Sequence, residues 1–324
     1  MHFSVSKSIA RIIAAAGIAG MAIMASGASA QDYPDHEVTM LVGFNAGGAT
    51  DVIARALADQ MEKALGQPVV VVNKSGAGGL LALNEVARAK PDGYTLMLST
   101  ATPLTASRSE PEAPTVDDVE VIGIVNLDGS AVLVKADSEF KTLDAFFEAA
   151  KDKPNSVVMA HAGVGGSYYL NALVWEATTG AKFKYVPYGG GSEIYPALAG
   201  GHVESASAVL SPAKQLIGSG QIRALGVSSA ERNPSFPDVP TFKESGIDLV
   251  WGAPKFVIAP KDTPEDVIAV LSDALDQAMN SEEMNEFWAK TGYEKFYLKR
   301  DEATQYLQNA QKSINEAFAN ADGK

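Results

Sequence analysis

The stretch that decides the fold is Val38-Thr39-Met40-Leu41-Val42-Gly43-Phe44-Asn45-Ala46-Gly47-Gly48-Ala49-Thr50-Asp51. Val38 to Val42 is a short apolar run of strand length, bounded by glycine, and reads as a buried strand. A glycine-rich loop follows from Gly43 to Thr50. Asp51 then reads as the cap of a helix carrying Val52, Ile53, Ala56, Leu57, Met61 and Leu65 on one broad face. Gly66 is placed to stop that helix, and Pro68 prevents its resumption. Strand, glycine-rich loop and helix form the repeating unit of an α/β sheet.

The unit recurs. Val69 to Val72 is a second strand, a helix runs to about Ala89, Pro91-Asp92-Gly93 is a turn, and Tyr94 to Ser99 is a third strand. A second round opens at Thr142. A helix through Phe146 and Phe147 leads to the strand Ser156 to Ala160. The loop His161-Ala162-Gly163-Val164-Gly165-Gly166 then feeds a helix starting near Ser167. Strands follow at 183–188, 203–208 and 222–228. Such alternation predicts parallel sheets covered on both faces. Residues 230–241 are polar and carry three prolines, so they read as a surface connection. Thr263-Pro264-Glu265-Asp266 reads as a threonine-capped helix start, and the remainder as helical.

The first thirty residues have the three-part pattern of a secretory signal. Lys7 and Arg11 are basic, residues 12–25 are apolar, and Ala28-Ser29-Ala30 is a cleavage site that would leave Gln31 first. The apolar stretch is short for a membrane span, which needs about 20 such residues. The expected destination is the periplasm. The 294 residues that would remain are enough for two domains of ordinary size. The chain has no cysteine, which removes disulfides, thiol nucleophiles, thiolate metal sites and a lipid-acceptor thiol. Its formal charge of −13 would become −15 on loss of Lys7 and Arg11, which argues against nucleic acid and anionic membrane surfaces as partners.

Both glycine-rich loops open a helix at the carboxyl end of a strand. Exposed N–H groups and the positive end of the helix dipole suit such places to anions. Thr50 and Ser167 add hydroxyls that both donate and accept. Neither loop carries lysine or arginine, so a carboxylate there would be held by N–H groups, hydroxyls and water. Two such loops facing one another would hold a diacid; a loop of this kind can equally be a plain tight turn. Catalysis finds less support. There is no G-x-S-x-G elbow, no phosphate-loop lysine and no G-x-G-x-x-G after a strand. His36, His161 and His202 stand at no metal-ligand spacing. No cofactor and no metal are expected. His161 lies in the second loop, where it can touch a ligand.

Beyond these loops the chain resembles the receptor component of tripartite tricarboxylate transporters, the TctC or Bug family. The likeness is carried by Tyr33-Pro34 through the Gly43–Asp51 loop, Leu65-Gly66-Gln67-Pro68, Gly76-Ala77-Gly78-Gly79, Lys90-Pro91-Asp92-Gly93-Tyr94-Thr95-Leu96, Val186-Pro187-Tyr188, Ile222-Arg223-Ala224-Leu225-Gly226-Val227 and Phe236-Pro237-Asp238-Val239-Pro240-Thr241, in one order. It implies an α/β, two-lobed periplasmic-binding-protein fold, type II-like, with the ligand cleft between lobes 31–130 plus 255–324 and 131–254. It also implies a small organic acid as ligand, a hand-over to the membrane components of the transporter, and a monomer that is not membrane-inserted. By position it nominates Phe44, Asn45, Gly48, Thr50, Gly163, Gly166, Ser167 and Tyr188. Thr102 and His161 join them as candidates of this chain's own loops.

Departures from the family pattern bear on the ligand. Asn45-Ala46 replaces a proline-rich loop, Tyr169 a histidine, and Ser207-Ala208 a Phe-Asp pair, the last making an ammonium-bearing ligand less expected. Arg108 can pair with a carboxylate or be solvated. Phe44, Tyr168, Tyr169 and Tyr188 can stack on an aromatic acid or pack behind the loops. A sensor that docks to a signalling partner stays open as an alternative; a secreted α/β hydrolase is a weaker one, lacking a visible nucleophile and base.

Overall fold

The computed structural model describes residues 33–108, 110–164 and 166–321. The expected signal segment lies outside the described residues. Strand β1 (Val38–Val42) is almost wholly buried and is paired in parallel on both edges, with β2 (Val69–Asn73) and β3 (Thr95–Ser99). Between β1 and β2 lies helix α1 (Ala49–Leu65), which buries Ile53, Ala54, Leu57, Ala58 and Met61. Gly66 ends it at φ 70°, a conformation that costs glycine little, and its N–H bonds to the Glu62 carbonyl at 2.9 Å. Helix α2 (Leu80–Arg88) connects β2 to β3.

The start of α1 differs from expectation. The helix begins two residues before Asp51, its cap is Gly48, and no side chain caps it. The Asp51 carboxylate instead accepts from the Gly47 N–H at 2.9 Å, from Arg55 and from Asn73. Asp51 is therefore used behind the loop, and the first-turn N–H groups are left open in front.

Strands β4 (Val119–Gly129) and β5 (Ala131–Lys135) have no counterpart in the sequence reading. The chain crosses between the two sheets at Ser130. Helix α3 (Leu143–Asp152) follows, capped by Thr142, whose Oγ1 accepts from the Ala145 N–H at 3.2 Å. Then come β6 (Val157–His161), α4 (Ser167–Thr179), β7 (Phe183–Pro187), α5 (Gly191–Ala199), β8 (Ser205–Ala208) and β9 (Ile222–Val227). The return strand β10 (Gly252–Pro260) leads to α6 (Glu265–Asn280), α7 (Glu282–Thr291), β11 (Lys295–Lys299) and α8 (Arg300–Ala321).

The first sheet has the order β11-β4-β10-β3-β1-β2 and the second β7-β6-β8-β5-β9. Neither is purely parallel. β10 runs antiparallel to both β3 and β4, and β5 antiparallel to both β8 and β9. The reason is connectivity. A strand that leaves one sheet for the other, and the strand that returns, must run in opposite senses. The C-terminal part is likewise not all helix, since β11 pairs with β4. Thr263 does not cap α6; its hydroxyl donates to the Pro260 carbonyl at 2.8 Å. Each sheet has its own core. Leu41, Met97, Phe256 and Ile258 belong to the first, and Phe146, Trp175, Phe183 and Phe242 to the second.

The two crossings are tied together. Ser130 and Ser228 share a hydroxyl contact of 2.7 Å, Ser228 Oγ lies 2.6 Å from the Trp251 carbonyl, and the Trp251 N–H donates to the Ser228 carbonyl at 2.7 Å. Both serines are fully buried. The described residues from 34 onward form one compact unit, so the cleft between the sheets is part of a single body.

Candidate ligand site

Two helices aim their N-terminal ends into this cleft. Helix α1 starts after Gly48 and α4 after Gly166; both caps are extended glycines and neither end is capped by a side chain. Uncapped first-turn N–H groups carry partial positive charge and favour an anion by about 0.3–1 kcal/mol per helix. The two ends wall one small cavity of about 30 Å³, together with Phe44, Thr100, Asp128, Tyr168, Asn171 and Lys255.

The polar atoms around the cavity are mostly donors. Ser167 Oγ accepts from the Ala101 N–H at 3.3 Å, which leaves its own proton to give. Thr100 is 2% exposed and its hydroxyl has no partner among the described residues. An unmade hydrogen bond of this kind is destabilising unless something fills it. Asn171 accepts from Trp251 Nε1 at 2.8 Å, which fixes the amide so that its NH₂ is the free end. Burial pushes the Tyr168 phenol up, partly offset by its hydrogen bond with Tyr195, so both rings stay neutral.

Across the cleft the two sides touch directly. Asn45 donates from its side chain to Glu193 at 2.5 Å and from its backbone to the Gly189 carbonyl at 3.4 Å. Gly78 packs so tightly on the second loop that an added Cβ would lie 2.0 Å from the Val164 carbonyl oxygen. The structure is thus a closed form of the cleft.

Of the residues nominated from sequence, Phe44, Gly48, Thr50 and Ser167 line the cavity. Gly163 and Tyr188 line a separate groove, which shares Phe44. Gly166 is the cap of α4, and Asn45 lies at the contact between the two sides. Thr102 is fully buried and donates to the Gly78 carbonyl at 2.8 Å. His161 is 1% exposed, with its ring 4.8 Å from Tyr169 and 5.5 Å from Tyr185. Burial pushes its pKa down to about 4, so the ring is neutral in the folded protein. The Arg108 side chain lies outside the described residues.

Thr100, Asp128, Asn171 and Lys255 escaped the sequence reading. Asn171 had a signal, standing four residues after Ser167 and so on the same helix face. Lys255 had another, a charge heading the apolar run Phe256-Val257-Ile258-Ala259.

Comparison with known proteins identifies the family. The model of the tripartite tricarboxylate transporter family receptor, TctC, matches residues 53–319. The UPF0065 protein in the gbd 5' region of Cupriavidus necator is 34% identical over 98% of this chain and 95% of its own length. The periplasmic binding protein BugD superposes with a TM-score of 0.82 at 30% identity, over 90% of this chain and 99% of its own. MatC from Rhodopseudomonas palustris with bound malate gives 0.81 at 27%, over 88% and 99%. The chain therefore belongs to the TctC receptors, a family of periplasmic solute-binding proteins and not of enzymes.

Proposed function

We propose that this chain captures a small organic acid in the cavity between its sheets and delivers it to the membrane components of a tripartite tricarboxylate transporter. The ligand class is a di- or tricarboxylate or an aromatic carboxylate. The observation that carries this reading is the convergence of two uncapped helix ends and the unpartnered Thr100 hydroxyl on one enclosed space. The malate bound to the similar protein MatC supports a carboxylate. The mature chain acts as a monomer in the periplasm after cleavage behind Ala30. Its lobes, 31–130 with 255–324 and 131–254, close by turning about the crossing at Ser130 and Ser228. The ligand set is drawn from Phe44, Asn45, Gly48, Thr50, Thr102, His161, Gly163, Gly166, Ser167 and Tyr188, with those lining the cavity in direct contact.

A thermal-shift screen tests the reading. A ligand that binds only the native state raises the midpoint by mass action. Carboxylates should raise it, and sugars and divalent metals should not. If a sugar shifts the midpoint and no carboxylate does, the ligand class is wrong.

A further inference from the structure

The donors gathered at the helix ends are neutral, yet a charged one also reaches the cavity. Lys255 sits on β10, is 6% exposed and lines the cavity wall. An ammonium so deeply buried needs acceptors. It has two, Asn126 Oδ1 at 2.5 Å and Asp128 Oδ2 at 3.0 Å. Both come from β4, whose antiparallel register sets Lys255 opposite Asn126. Residues 126 and 128 stand two apart and so share a face of the strand.

Each acceptor is itself held. Asp128 Oδ1 accepts the Glu294 N–H at 2.8 Å, and Asn126 Nδ2 donates to the Glu294 carbonyl at 2.7 Å. The backbone of residue 294 thus fixes both groups that fix the ammonium. An ammonium has three protons to give, and among the described residues two are used. Asp128, by contrast, has a fixed donor on each oxygen. The pair therefore presents an unspent donor and an acceptor whose oxygens are both engaged.

We propose that Lys255 is a specificity-determining residue, whose third N–H takes an acidic group of the ligand additional to the carboxylate held at the helix ends. The ligand is then a compact diacid. Asn126 and Asp128 are positioning residues that aim the ammonium. This rests on the carboxylate-binding function proposed above and names the ligand class more narrowly.

Calorimetric titration of the mature protein with succinate, malate, monomethyl succinate and butyrate tests it, alongside aspartate. Wild type should bind the diacids at least about tenfold more tightly than the ester or the monoacid, a step readily resolved in Kd. Lys255→Gln should abolish that preference and leave monoacid affinity within about threefold. Removing one partner of a buried ion pair is strongly destabilising. The double variant Asp128→Asn/Lys255→Met removes both charges together, and should lose the preference in the same way. Two results would overturn the proposal. One is a diacid preference that survives in a folded variant of either kind. The other is a wild type that binds aspartate, a diacid whose added ammonium this arrangement gives no acceptor, more tightly than succinate or malate. Failure of every carboxylate to bind wild type would overturn the proposed function as well, which separates the two ideas.

Discussion

Thr100 shows how a single residue can be poor for stability and useful for binding. Its buried hydroxyl lacks a partner while it lines the cavity. A hydroxyl left unmade costs about 1–3 kcal/mol, and an apolar replacement of the same shape relieves it. Thr100→Val should therefore raise the melting temperature of the ligand-free protein by about 2–3 °C. The same change should weaken carboxylate binding about tenfold, or roughly 1.4 kcal/mol, because the ligand loses a donor. Calorimetry of the free and loaded forms reads both. A variant that melts higher and binds as well as wild type would remove Thr100 from the site. Ser167→Ala should weaken binding without unfolding the chain, since Ser167 is not a helix cap; unchanged affinity would exclude it. Thr50 and Ser167 were legible in the sequence because each lies within two residues of the glycine that opens a helix, where local pattern and chemistry coincide. Thr100 was not, and Lys255 was signalled only by the apolar run it heads, because what singles them out is burial. That is set by strands far away in the chain, β4 and β10 above all.

Elements carry the closure of the cleft. The turn at Ala77–Gly79 presses on the loop before α4, with Gly78 at φ 64° and its missing Cβ position 2.0 Å from Val164 O and 2.7 Å from Gly166 N. Gly180, which ends α4 at φ 78°, has nothing within 4 Å. The two glycines thus share a backbone conformation and differ in surroundings. Gly180→Ala should cost about 1 kcal/mol of stability through the left-handed backbone alone and leave affinity intact. Gly78→Ala adds a collision that exists only when the two sides meet. Ligand affinity should fall at least about thirtyfold, roughly 2 kcal/mol. The contraction on ligand addition, followed by small-angle scattering, should be lost. Equal contraction in Gly78→Ala and wild type would refute a latch at this turn. Elements also mark where sequence reading stopped. The βα units of residues 38–99 and 142–228 announce themselves locally through strand, glycine and helix. β4 is long, apolar and paired antiparallel to a strand more than 120 residues later, so no neighbouring turn signals it. β11 is a short strand between two helices, and its alternation is lost in theirs.

At the scale of the whole molecule, two buried titrating groups on different sheets set opposing pH dependences. His161 ends β6 in the second sheet and is pushed down to about 4, chiefly by burial. Glu294 precedes β11 in the first sheet and is raised to about 7, by burial first and then by Asp128. Stability rises with pH wherever the unfolded chain binds more protons than the folded one. Between about 4 and the ordinary 6.5 the unfolded histidine is protonated and the folded one is not, so His161 lowers stability as the pH falls. Between the ordinary 4.5 and about 7 the folded Glu294 holds a proton that the unfolded one has lost, so Glu294 lowers stability as the pH rises. Each spans about 2.5 pH units, or roughly 3 kcal/mol in full. Over the shared window the two nearly cancel in wild type. Asp51 does not disturb this. Burial works against it, but its hydrogen bonds from Arg55, Gly47 and Asn73 hold it below 3.8, so the stability it contributes is lost only at more acid pH. His161→Leu should therefore uncover the Glu294 slope, becoming more stable as the pH is lowered from 7 to 4.5. Glu294→Gln should uncover the opposite slope and lose stability from 6.5 to 4. Urea unfolding at several pH values across the window distinguishes these outcomes. If wild type and both variants give parallel curves, the two groups do not titrate differently on folding. Opposite slopes in the variants around a flat wild type would mean that a receptor with a buried base in one sheet and a buried acid in the other holds its stability through mild acidification.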